Sequence, residues 1–111
     1  MNDFAHSARE RILALLTEGE HGARFVSDLE RKGRLPKREV EQELAALEGE
    51  GKLLVREYYS ADPHLEGVDL RIAGVVRASA KEADAISSCI EAIDATWQEW
   101  ITSYLADHRC S

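Results

Sequence analysis

Five cationic residues fall within eight positions of this chain: Arg31, Lys32, Arg34, Lys37 and Arg38. Guanidinium forks and ammonium groups are the side chains that bind phosphate oxygens, and Arg can also bond the edge of a guanine. Phosphate contacts position a protein on a duplex, whereas base contacts read its sequence. On that division Lys37, Arg38 and Gln42 are expected to reach bases. Arg31, Lys32 and Arg34, with Arg56 further along, are expected to hold phosphates. Glu39, Glu41 and Glu43 stand against this reading, because a carboxylate near phosphate repels unless it accepts from a cytosine amino group. The plainer alternative for such a charge run is a solvated helix face.

The elements that position these residues lie in the stretch from Ser27 to Tyr59. Ser27 with Glu30 fits a capping box for a short helix. Gly33 suits the left-handed residue that closes it, and Pro36 suits the first position of the next helix. Val40, Leu44 and Leu47 then recur at helical spacing until Gly51 stops the helix. The apolar run Leu53-Leu54-Val55 follows as a strand. Helix, tight turn, helix and strand in this order form the kernel of a winged helix, a mainly α fold with a small β-wing (α+β).

Val40, Leu44, Leu47, Gly51 and Leu53, preceded by Leu29 in the first helix of the pair, match the pattern V-x3-L-x2-L-x3-G-x-L that ends a recognition helix and enters the wing. Over roughly Ala8 to Val76 the chain resembles winged helix-turn-helix transcriptional regulators of the MarR-like and PadR-like kind. The G-T-L-Y start of a PadR-type recognition helix is absent. The resemblance implies double-stranded DNA as partner, with the helix from Pro36 to Glu50 in a major groove.

Around that kernel, Ser7 or Asp3 can cap a first helix carrying Ala8, Ile12, Leu15 and Leu16 on one face and ending near Thr17. Arg24-Phe25-Val26 reads as a short strand. Lys52 to Tyr59 reads as a wing strand, and Ser60 to Gly67, with Pro63 inside it, as a loop. Val68, Leu70 and Ile72 alternate with polar or small residues, the signature of a strand with one buried face. The winged-helix domain is thus expected over 7–77.

Residues 78–111 read as a C-terminal helix from Ser79 to about His108, roughly 45 Å long. Ala83, Ile86, Ile90, Ile93, Trp97, Trp100 and Tyr104 form a heptad seam, with Ala85, Cys89, Ala92, Ile101 and Leu105 along a second edge. One copy of so small a domain is expected to offer too little surface to cover this helix, so the seam from Ile86 to Tyr104 is expected to pair two copies as a homodimer. In an antiparallel pair Cys89 would approach Cys110 of the second copy. Trp97, Trp100 and Tyr104 could also line a pocket for a flat, apolar effector.

Composition bounds the rest. The chain has 111 residues, 44% of them apolar, and a formal net charge of −7. Residues 23–77 carry ten Lys or Arg against eleven Asp or Glu, so most of the acidic excess lies outside the segment with the cationic cluster. No apolar run is long enough for a membrane span, and no secretory signal pattern is present. Two cysteines fit a reducing compartment, so a cytoplasmic protein is expected. His6, His21, His64, His108 and the cysteines show no metal-ligand spacing, and no phosphate loop, nucleophile elbow or acid pair is found. The expectation is a non-enzymatic regulator without cofactor or metal. A winged helix that binds protein is the alternative, and a ligand-responsive dimer is the third reading.

Overall fold

The structure, a computed structural model, describes residues 7–77 and 82–108. The order of elements is α1 (Ala8–Glu18), β1 (Ala23–Phe25), α2 (Val26–Gly33), α3 (Lys37–Gly49), β2 (Leu53–Glu57), a 3-10 turn (Pro63–Leu65), β3 (Arg71–Val75) and α4 (Glu82–His108). The strands form one antiparallel sheet in the order β1-β3-β2, with Phe25 opposite Ile72 and Arg56 opposite Ile72 from the other side. Among the described residues, four helices and a small three-stranded antiparallel sheet make an α+β fold compatible with a winged helix. No described helix is long and apolar enough to cross a membrane.

Two cores lie on opposite faces of the sheet. On one face Ile12 and Leu16 of α1, Val26 and Leu29 of α2, and Val40, Leu44 and Leu47 of α3 pack with Leu53 and Ala73. On the other, Cys89, Ile93 and Trp97 of α4 pack with Ala23, Leu70 and Ile72. The central strand β3 is therefore covered on both faces, and Ile72, Ala73 and Gly74 are buried in succession. The expected alternation starting at Val68 does not describe it. Val68 precedes the strand and is exposed, and a strand buried on both sides has no polar face to alternate with.

Helix α4 comes very close to the sheet at Gly74. A Cβ there would lie 2.7 Å from Ile93 Cγ1 and 3.0 Å from its Cδ1. The Cys89 thiol donates to the Gly74 carbonyl oxygen at 3.2 Å. Burial pushes that thiol's pKa up, which makes it a packing group rather than a nucleophile. Cys89 faces its own sheet, so the approach to a second copy's Cys110 that the sequence suggested does not fit this packing; Cys110 lies outside the described residues, as does the expected helix start at Ser79.

The local signals at the helix ends shift by one residue. Ser7 caps α1, its Oγ accepting from the Glu10 N–H. In contrast, α2 starts at Val26 with Phe25 as its N-cap, so the Ser27–Glu30 capping box is not formed: Ser27 is already helical. The left-handed residue that closes α2 is Arg34, at φ 53° and ψ 45°, not Gly33. The Leu35 N–H reaches back to the Glu30 carbonyl and the Arg34 N–H to Arg31, a Schellman-type closure. Pro36 is the N-cap of α3, one place before the expected position.

Candidate nucleic-acid interface

Helix α3 turns Val40, Leu44 and Leu47 into the core. At 100° per residue, the opposite line of the helix carries Arg38, Gln42, Ala45 and Gly49, all of them exposed. No carboxylate lies on that line. Glu41 and Glu43 fall on the two flanks, and each is held by a cation from the protein body. Arg71 of β3 donates to Glu41 through both terminal nitrogens, Nη1 at 2.8 Å from Oε1. The same guanidinium bonds Asp69 through Nε at 2.9 Å and Nη2 at 2.8 Å. On the other flank Arg9 of α1 donates to Glu43 at 3.2 Å and to Glu50 at 3.1 and 2.7 Å.

These bonds shift the ionisation of the groups involved. The Arg71 hydrogen bond holds the Glu41 carboxyl below the usual carboxylate range, against the burial that would raise it. Asp69 is lowered by the same partner. Arg9, with Lys52 beside it, lowers Glu50 in the same way. Glu41 and Glu43, two of the three carboxylates that counted against phosphate contact, are thus each paired with a cation of the chain itself.

The five cations of the cluster are all exposed and gather where α2 meets α3. Lys32, Arg34, Lys37 and Arg38 have no ion pair among the described residues, while Arg31 bonds Asp28 one turn earlier on α2. Arg38 and Gln42 stand on the outward line. Lys37 sits on the Glu41 flank, where its charge bears on Glu41 and Asp69. Arg11 of α1 joins the patch, donating to the Gly33 carbonyl oxygen at 3.3 Å and sharing a cleft with Lys32 and Arg34. Its place in the cluster was not legible from a position twenty residues upstream of Arg31.

Arg56 does not belong to this surface. Along β2, Leu53 faces the α1–α3 core and Leu54 faces α4, so Arg56 points to the α4 side. There it donates to Asp94 at 3.3 Å and lies 5.9 Å from the Tyr58 ring centre. Tyr58 donates to the same Asp94, and its pKa is pushed up to about 12, by burial first and then by that carboxylate. Arg56, of which a phosphate contact was expected, is thus paired with Asp94 of α4, on the sheet face away from the α2–α3 cluster.

The expected dimer seam divides in the same way. Ile93 and Trp97 are buried in the chain's own core, so they cannot serve the interface expected of them without unfolding α4 from the sheet. Sequence spacing located an apolar stripe but not which surface covers it. Ile90, Trp100 and Tyr104 are half-buried, and Ile86 and Leu105 are exposed at 38% and 39%. The aromatic stripe is filled from within: Trp97 stacks on Tyr58 at 4.8 Å, and Trp100 packs on Phe25 at 5.1 Å and Tyr104 at 5.3 Å.

Comparison with protein-family models, with curated proteins and with solved structures finds no match to this chain.

Proposed function

We propose that the chain is a winged-helix transcription regulator that binds double-stranded DNA as a homodimer. The observation that carries this reading is the outward line of α3. Arg38 and Gln42 stand on it with Ala45 and Gly49 behind them, and two of the three nearby carboxylates, Glu41 and Glu43, are drawn into ion pairs with Arg71 and Arg9. Small residues let a helix backbone come close to a groove floor, and Arg and Gln at its N-terminal end are suited to guanine and adenine edges. Arg11, Arg31, Lys32 and Arg34 would hold the flanking phosphates.

The pairing of two copies would use the part of α4 that its own sheet leaves uncovered. Ile86 and Leu105 are its exposed large apolar residues, and Ile90 and Tyr104 are half-buried, while Trp100 and Ile101 also pack against the core behind the sheet. A two-fold pair of this kind would present two α3 helices to half-sites about 34 Å apart. A protein-binding role remains the second reading, favoured by one observation. Asp84, Glu91 and Asp107 are exposed along α4, in a chain of net charge −7.

Selection from random duplexes, followed by a mobility shift on the enriched sequence, tests the proposal. Enrichment of a pseudo-palindrome supports it. Failure to enrich any sequence, with retention on a cationic protein partner instead, favours the second reading.

A further inference from the structure

We propose that Glu20, His21 and Glu99 form a binding site for a first-row divalent transition cation such as Mn2+ or Zn2+. Glu20 and His21 lie in the turn between α1 and β1, and Glu99 lies on α4. The fold brings one ligand atom from each, an imidazole nitrogen and two carboxylate oxygens, to within 4.8 Å of one another. His21 Nε2 is 2.6 Å from Glu99 Oε2, across a separation of 78 residues. No sequence spacing could have revealed the trio.

Ligand atoms bonded to one such ion at about 2.0–2.2 Å stand about 3.3 Å apart in tetrahedral geometry. The present separations therefore need only side-chain rotation to reach that arrangement. Glu20 is exposed and the Glu99 side chain is 57% exposed, so both can rotate. An imidazole with two carboxylates is a mixed nitrogen and oxygen donor set. Such a set suits manganese, iron or zinc better than the all-oxygen shells of calcium and magnesium or the thiolate shells of cuprous copper. Two carboxylates also neutralise a dication.

The surroundings leave room to complete the coordination shell. The three residues line a cleft of about 400 Å³ walled by Phe25 and Trp100, open enough for water ligands. Arg24 and Asp28 also line the cleft. The Arg24 guanidinium is turned to the Leu15 carbonyl oxygen, 2.6 Å from its Nε, and Asp28 is bonded to Arg31. Glu20 and Glu99 thus keep the cleft's mouth acidic. A bound ion would tie the α1–β1 turn to α4, the same two elements that the His21–Glu99 hydrogen bond already joins. Binding to the folded chain alone raises its stability by mass action.

The test uses the untagged full chain, without DNA, titrated calorimetrically with MnCl2 and with ZnCl2 and melted at each metal concentration. One ion per chain and a rising melting temperature are expected for at least one metal. Glu99→Gln and His21→Gln should each weaken that binding by about tenfold or more while leaving the circular dichroism spectrum unchanged. Glu91→Gln, an exposed carboxylate elsewhere on α4, should change neither. Binding that survives the Glu99→Gln and His21→Gln double substitution at full affinity would place the ion elsewhere and overturn the proposal. Absence of heat and of any melting shift at millimolar metal overturns it as well.

Discussion

Arg71, on the central strand, donates to both carboxylate oxygens of Glu41 on α3 and so fixes the flank of the helix that carries Arg38 and Gln42. Two carboxylates, Glu41 and Asp69, share this one guanidinium. Both have folded pKa values below their ordinary ones. A depressed carboxylate pKa contributes stability that is present above the unfolded value of about 4 and is lost as pH falls through the folded value. Arg71→Ala should therefore cost about 1 kcal/mol at neutral pH, since the pair is partly screened by solvent. The variant should also lose less stability than the wild type below about pH 4. Thermal melts of both proteins across that range check this. Parallel acid limbs would show that the Arg71 pairs do not set the ionisation of Glu41 and Asp69.

Arg34 holds a left-handed backbone conformation that favours glycine. A non-glycine residue there carries strain on the order of 1 kcal/mol. Arg34→Gly should raise the unfolding free energy by a similar amount while removing one of the proposed phosphate contacts. Higher melting temperature with weaker DNA binding is the expected pair of results. A lower melting temperature would mean that the Arg34 side chain stabilises the turn by more than its backbone strain costs.

Gly74→Ala should destabilise the protein by about 1–3 kcal/mol, because the new methyl group meets the well-packed Ile93 side chain. Adding Ile93→Ala should make the double variant more stable than the two separate losses imply, since the deleted atoms vacate the contact. Additive losses in denaturant unfolding would show that α4 does not rest on Gly74.

The proposed dimer can be separated from the fold, because it would use residues of α4 other than those buried against the sheet. Ile86→Glu with Leu105→Glu, both exposed apolar positions, should yield monomers with a melting curve close to the wild type at matched monomer content. Trp97→Glu should instead unfold the protomer, since it would bury a charge in the core behind the sheet. Sedimentation velocity reads the first result and circular dichroism the second. A wild-type monomer at micromolar concentration would remove the dimer from the account.

These contrasts mark how far the sequence was legible. The α3 core of Val40, Leu44 and Leu47 could be read directly, because a helix buried on one side leaves a 3.6-residue period. The strand at Ile72-Ala73-Gly74 could not be read by alternation, because β3 is covered on both faces and buries three residues in a row. The apolar stripe of α4 was visible, but periodicity does not say whether a sheet or a second copy covers it. The same limit applied to charge. Glu41 and Glu43 looked like neighbours of Arg38, and only the positions of Arg71 and Arg9, remote in the chain, turn them into internal partners.

Fluorescence anisotropy of a labelled operator duplex, titrated with the protein at several salt concentrations, tests DNA binding most directly. Log affinity should fall linearly with log salt, by about 0.9 for each phosphate contact. The Arg31→Ala and Lys32→Ala substitutions should shallow that slope and weaken all sequences alike. Arg38→Ala and Gln42→Ala should erase the preference for the selected site, and Lys37→Ala should blunt it less. An absence of binding to any duplex at low salt, or binding indifferent to Arg38 and to the cations from Arg31 to Arg34, would contradict the account.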